Sequence, residues 1–264
     1  MTVTAALIVA ALLIGAGVLG VRALYDSATD TRAQQCRFGG YDLDNDQASV
    51  AAQMVAVVVT RALPERASVL ALAAALQESK LRNLSGGDRD SVGVLQQRPS
   101  QGWGTVDQIM DIRYATGKFL DALVKVPDWQ TGNLADTIQA VQISADASAY
   151  APHEAMAQAL ADALTGVTPA GIDCAFDRAQ ATSTAAQLGA AITAELPVNP
   201  PRISGEQVTI PGAGWTSAAW FVANADRFGV TSVGFSGQTW TPSHGWKKDS
   251  DAGTDHVSAG VGKS

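Results

Sequence analysis

Apolar and polar positions repeat at helical spacing over most of the first two thirds of this chain, and strand-like alternation gathers near its end. From Gln47 to Thr60, QASVAAQMVAVVVT reads as a buried helix, with a Val-rich end that also suits a strand. Pro64 suits the first turn of the next helix, and Glu65 complements its positive end. That helix runs PERASVLALAAALQESK. At about 100° per residue, Val69, Leu72 and Leu76 line one face, while Glu78 falls beside Ala71, Ala74 and Ala75 on the other. Both faces are apolar, so burial is expected almost all round, with Glu78 projecting from a small-residue surface into a cleft wall. Further helices are expected over TVDQIMDIRYATGKFLDALVKV, ending before Pro127, over LADTIQAVQISA, and over HEAMAQALADAL, ending near Gly166. Strand signals there are short and weak, and the segment around Gly93 pairs at most in a small sheet. A mainly helical domain is therefore expected over residues 36–175.

The two ends differ from this middle. The opening stretch MTVTAALIVAALLIGAGVLGV carries no charged side chain, and Arg22 follows it. Roughly 20 apolar residues cross the hydrocarbon core of a bilayer, so residues 1–24 are expected to form a transmembrane anchor and residues 25–35 a juxtamembrane segment. A cleaved signal peptide is the rival, but it normally opens on Lys or Arg, and that basic start is missing here. Orientation rests on Arg22 alone. At the other end, Arg178–Leu196 shifts to Ala, Thr, Ser and Gln with a partly helical pattern, and PVNPPRISG is a stiff, proline-rich spacer. Residues 176–204 are read as a linker. Residues 205–264 then read as a small βαββ domain: a strand near Val208, a helix in GWTSAAWFVANADRFGV, and strands in VTSVGFSGQTW and HVSAGVG. Trp215, Trp220, Phe221, Phe228, Trp240 and Trp246 supply its core, a reading preferred over a carbohydrate-stacking platform. The expected fold class is α+β: one transmembrane helix, a mainly helical domain, and a small βαββ domain.

Composition narrows the function. A chain of 264 residues can hold one substantial core plus a smaller unit. Its 18 basic and 25 acidic residues give a net charge of -7, and no stretch gathers Lys and Arg, which excludes nucleic acid as a partner. An anionic polymer would have to be held by local contacts. His153, His244 and His256 are scattered and there is no CxxC, so no metal site is expected, and no cofactor is implied. For Cys36 and Cys174 a disulfide is the natural reading if the chain beyond the anchor lies outside the cytoplasm. It would close a loop worth about 4–5 kcal/mol in the chain-entropy model. A cysteine peptidase needs a Cys paired with a His, and neither cysteine has surroundings that support nucleophilic catalysis.

Glu78 carries the candidate chemistry. A carboxyl group among alanine methyls loses hydration, which disfavours its charged form and raises its pKa. Moving from roughly 4.3 toward 6 leaves a useful protonated fraction near neutral pH, the requirement for a general acid at a glycosidic oxygen. The ordinary alternative is a helix-end glutamate that is solvated or paired with Lys or Arg. The neighbouring residues add to this. Glu78-Ser79, the loop GDRDSVG and then Gly93-Val94-Leu95-Gln96 resemble the signature of the lysozyme-like lytic transglycosylases and goose-type lysozymes. Ala149-Tyr150 matches the start of their Ala-Tyr-Asn element, and QQRPSQGWGT and YATGKFLDAL look like membrane-anchored actinobacterial members. The resemblance covers residues 36–165. It implies a lysozyme-like fold for the helical domain and peptidoglycan glycan strands as substrate. It makes Glu78 the catalytic acid, has Ser79 orient it or a bound sugar, and lets the backbone approach the glycan at Gly93. Gln96 and Tyr150 would sit beside the scissile bond. Two departures stand out: Val94-Leu95 replaces a Leu-Met pair, and Ala151-Pro152 replaces Asn-Gly, which removes an amide and stiffens the loop.

Two reactions use such a site. An inverting hydrolase needs a second carboxylate at roughly 6.5–9.5 Å to activate water. Asp88 and Asp90 are the candidates, and Asp88 falls where the goose-type loop has its aspartate, although it is equally an ordinary turn residue. A lytic transglycosylase uses Glu78 alone, first as acid and then as base, while the muramic-acid 6-hydroxyl closes a 1,6-anhydro ring. The resemblance favours the transglycosylase, with Asp88 then among the substrate-binding residues. Outside catalysis, a wall-binding scaffold predicts glycan binding without turnover. The C-terminal unit is left open to a protein partner, to wall polymer or to covering the cleft. The expected location is the cell membrane, single-pass, with the catalytic domain outside the cytoplasm, or secreted if the N-terminal segment is cleaved.

Overall fold

The computed structural model describes residues 34–143, 147–177, 179–180 and 182–262. Helix α1 (Asn45–Thr60) starts where the Gln47 side chain reaches back to accept from the Asp44 backbone N–H at 2.8 Å. Helix α2 (Glu65–Ser79) follows, with Pro64 at its N-cap, and every residue from Ala67 to Leu76 is buried. Its alanines let neighbouring helices approach closely. It packs against α1 and against α6 (Glu154–Thr165), which presents Ala157 and Ala161 in turn. The single helix expected between Thr105 and Val126 is instead two, α3 (Val106–Met110) and α4 (Ile112–Leu123). The break is at Asp111, whose carboxylate accepts from the N–H groups of Arg113 (2.8 Å) and Tyr114 (3.2 Å) and so caps a new helix. Helix α5 (Leu134–Gln142) is capped by Asn133 and ends on Ile143 in the left-handed region.

Strands β1 (Cys36–Phe38), β2 (Tyr41–Leu43) and β3 (Ile172–Cys174) form an antiparallel sheet in the order β2-β1-β3. Cys36 lies opposite Cys174 in that register, and the two form the disulfide expected from the sequence.

Beyond β3 the chain forms α7 (Ala185–Glu195), β4 (Arg202–Ser204), β5 (Gln207–Pro211), α8 (Trp215–Ala223) and α9 (Ala225–Phe228). Strands β6 (Val230–Phe235), β7 (Gln238–Thr241), β8 (Gly245–Lys248) and β9 (His256–Val261) complete it. The strands make one six-stranded sheet in the order β4-β5-β9-β6-β7-β8. The last strand, β9, is antiparallel to both β5 and β6, so those two run parallel and α8 and α9 form the crossover between them.

The architecture is α+β, but the expected arrangement is corrected in two respects. The C-terminal part is a six-stranded sheet rather than βαββ. Nor is it a separate appendix to a lysozyme-like domain, because Gln34–Ser264 is one compact unit. Among the described residues no helix is long and apolar enough to cross a membrane, and the anchor expected over residues 1–24 lies outside them. Helix α8 supplies the physical reason for the fusion. Ser217 through Ala223 are all buried, so it has no polar face to give to water. It is covered by β6 on one side and by α1, α6 and β3 elsewhere. Helix α7, inside the stretch expected as a linker, packs against α1, β4 and β5. The aromatics are core residues whose polar ends find partners. The indole of Trp220 donates to Glu195 Oε2 (2.8 Å), that of Trp240 to Asp173 Oδ1 (3.0 Å), and that of Trp246 to the Ile172 carbonyl (2.8 Å).

Candidate active site

Glu78 is the penultimate residue of α2, and two successive residues in the left-handed region, Lys80 (φ 55°) and Leu81 (φ 58°), stop the helix just after it. The Lys80 N–H donates to the Leu76 carbonyl and the Leu81 N–H to the Ala75 carbonyl, both at 3.1 Å, so the turn is closed by its own backbone. The Glu78 side chain is half-buried. The Tyr150 hydroxyl donates to Glu78 Oε1 at 2.7 Å across 72 residues of sequence. Among the described residues no Lys or Arg forms an ion pair with Glu78. Tyr150 is 2% exposed and sits where two short 3-10 turns meet, the second containing Ala151 and Pro152. The substituted element thus still fixes the tyrosine.

Ser79 is engaged with protein backbone. Its buried hydroxyl donates to the Val94 carbonyl at 2.7 Å and accepts from the Arg82 N–H at 3.2 Å, tying the end of α2 to the Gly-Val-Leu-Gln element. Gln142, which no sequence signal singled out, donates to the neighbouring Leu95 carbonyl at 3.0 Å. Gly93 (φ 82°) donates to the Leu84 carbonyl at 2.7 Å. A Cβ added there would stand 2.7 Å from the Ile109 carbonyl oxygen, so the close approach is to protein backbone. We expect Gly93→Ala to destabilise the fold by upward of ~1 kcal/mol, since both the left-handed φ and the Ile109 backbone oppose the methyl; urea denaturation measures it. Gln96 (φ 46°) turns back on its own loop, donating to the Gly93 carbonyl at 3.0 Å and packing its Oε1 against Gly87.

The two candidate second carboxylates lie differently. The Asp88 side chain is 88% exposed, and among the described residues its carboxylate pairs only with Arg89, at 3.9 Å. Asp90 is held by Arg98 Nε (2.8 Å) and by the Ser100 N–H (2.8 Å) and hydroxyl (3.0 Å). The Arg98 guanidinium first, and then Ser100, keep the Asp90 carboxyl well below the usual carboxylate range. Both Asp90 oxygens are therefore already engaged, Oδ1 by Arg98 and the Ser100 hydroxyl and Oδ2 by the Ser100 N–H. The disulfide uses both cysteines and leaves no thiol nucleophile.

His153 Nε2 lies 3.0 Å from Gln77 Oε1, one residue before Glu78, and burial pushes its imidazole below the ordinary histidine value. Between that lowered value and ~6.5 the unfolded chain binds more protons than the folded one. Stability is therefore expected to fall as pH drops through this window. His153→Gln should flatten that part of the curve, which denaturation midpoints at pH 5 and pH 8 would reveal.

No protein-family model matches the chain, and no curated protein matches it either. Among the described residues, no group of three or more His, Cys, Asp or Glu side chains is placed to hold a metal ion.

Proposed function

We propose that this protein is a murein lytic transglycosylase that cleaves the β-1,4 bond between N-acetylmuramic acid and N-acetylglucosamine. The observation that carries the reading is the pairing of Glu78 with the buried Tyr150 hydroxyl and not with a cation. A carboxyl group neutralised by Lys or Arg would be a structural ion pair; one oriented by a neutral donor keeps an oxygen for chemistry. Because Tyr150 donates to Oε1, Oε2 is the oxygen left to carry and receive the proton.

The proposed reaction runs in two proton transfers. Glu78 gives its Oε2 proton to the glycosidic oxygen as the bond to the muramic-acid anomeric carbon breaks. The resulting carboxylate takes the proton of the muramic-acid 6-hydroxyl, and that oxygen closes onto the anomeric carbon. Atoms balance without water, and holding the hydroxyl near the reacting carbon replaces a bimolecular encounter. The states of Asp88 and Asp90 favour this route over inverting hydrolysis, which needs a positioned, basic second carboxylate.

Mass spectrometry of murein digested by the protein tests the reaction. Fragments ending in 1,6-anhydro-muramic acid are expected. Reducing ends would replace the proposal with a hydrolytic muramidase.

A further inference from the structure

A cavity of about 330 Å³ opens where α1, the turn after α2 and α9 meet, and the chemistry assigned to Glu78 makes no use of it. Arg82 and Arg227 line it together with Asp46 and Gln180, over a floor of Val50 and Leu81. Both floor residues are buried. Arg82 pairs through Nη2 with Asp44, and Arg227 uses Nη1 for Glu195 Oε1 (3.3 Å) and Asn224 Oδ1 (3.4 Å). The other N–H groups of both guanidiniums have no partner among the described residues. Asp46 accepts from the Gln180 side chain through Oδ1 at 2.9 Å and keeps Oδ2.

Two guanidiniums and one carboxylate around an apolar floor suit neither a simple anion nor a simple cation. They match a small molecule that carries both charges, with the planar forks of Arg taking a carboxylate and Asp46 taking an ammonium. The volume fits a group of amino-acid size. The position is tied to the active site, since the Arg82 N–H donates to the hydroxyl of Ser79, the residue after Glu78.

We propose that this cavity binds the dipolar centre of a murein stem peptide, where a free ammonium and a free carboxylate sit on one diamino acid; this identification of the peptide rests on the murein reading above. Its carboxylate lies on Arg82 and Arg227 and its ammonium on Asp46, so that the enzyme prefers glycan strands whose stems keep both charges.

Calorimetric titration of the full chain with a stem tripeptide ending in meso-diaminopimelate tests it. Saturable binding is expected. Arg82→Gln should weaken it about tenfold, the scale of one charge-assisted contact. Among the described residues the Arg82 side chain forms an ion pair only with the exposed Asp44, so the variant is expected to fold. Asp46→Asn should weaken the free-ammonium peptide but leave an N-acetylated peptide, already weak, unchanged. Absence of saturable binding, or equal affinity for the free, acetylated and carboxyl-amidated peptides, overturns the proposal. Murein turnover without peptide binding sinks the cavity alone, whereas peptide binding without turnover sinks the role of Glu78 and spares the cavity.

Discussion

Glu78→Gln is expected to remove the release of soluble fragments from purified sacculi almost completely, by about 10³-fold or more. A single carboxyl group performs both proton transfers in the proposed reaction, so the amide, which does neither, stops both halves. The variant is expected to fold normally. Glutamine keeps the volume and an Oε1 that can accept from Tyr150, and the side chain is only half-buried at the end of α2. The apolar packing of that helix, Ala67 to Leu76, is untouched. Thermal denaturation of the variant alongside the turnover assay separates the two effects. Turnover within tenfold of wild type would show that another group delivers the proton.

The second large effect is on stability. Replacing Cys36 and Cys174 together by serine is expected to cost about 2–5 kcal/mol of folding free energy. The disulfide spans 138 residues, a separation at which cross-linking removes much of the freedom of the unfolded chain. Its place in the fold adds to this. It joins β1 to β3, and β3 carries the Asp173 carboxylate and the Ile172 carbonyl that receive Trp240 and Trp246 from the six-stranded sheet. Releasing the clasp therefore loosens the seam between the helical part and the C-terminal sheet. Urea denaturation of the double variant is the measurement, and a loss below ~1 kcal/mol would mean that strand pairing holds the seam unaided.

The local features were the legible ones. The alanine-rich pattern of Pro64–Lys80 places α2 within a residue or so of its observed limits, because continuous burial of a helix writes itself into consecutive residues. The Ser236-Gly237 pair marks the tight turn between β6 and β7, although the sequence alone treats that stretch as one strand region. The break at Asp111 was readable only as an N-cap residue inside an otherwise helical pattern, and the apolar spacing on either side masked it. Strands β4 and β8 leave little mark on the sequence because one is three residues, the other four, and neither alternates strongly.

What the residues settled by themselves is the identity of the acid candidate, the burial of the helix that carries it, and the pairing of two distant cysteines. The burial follows from short-range periodicity and the pairing from there being one possible partner, while the acid candidate rests on the resemblance of Glu78-Ser79 and Gly93–Gln96 to the lysozyme-like signature. The resemblance already put Tyr150 in the cleft of Glu78; folding alone decided that its hydroxyl meets Glu78 Oε1, that Asp88 stands in solvent while Asp90 is held by Arg98, and that β9 inserts between β5 and β6. These contacts join residues far apart in the chain. Their free energy is shared over a whole packed core, so no local pattern announces which groups will meet.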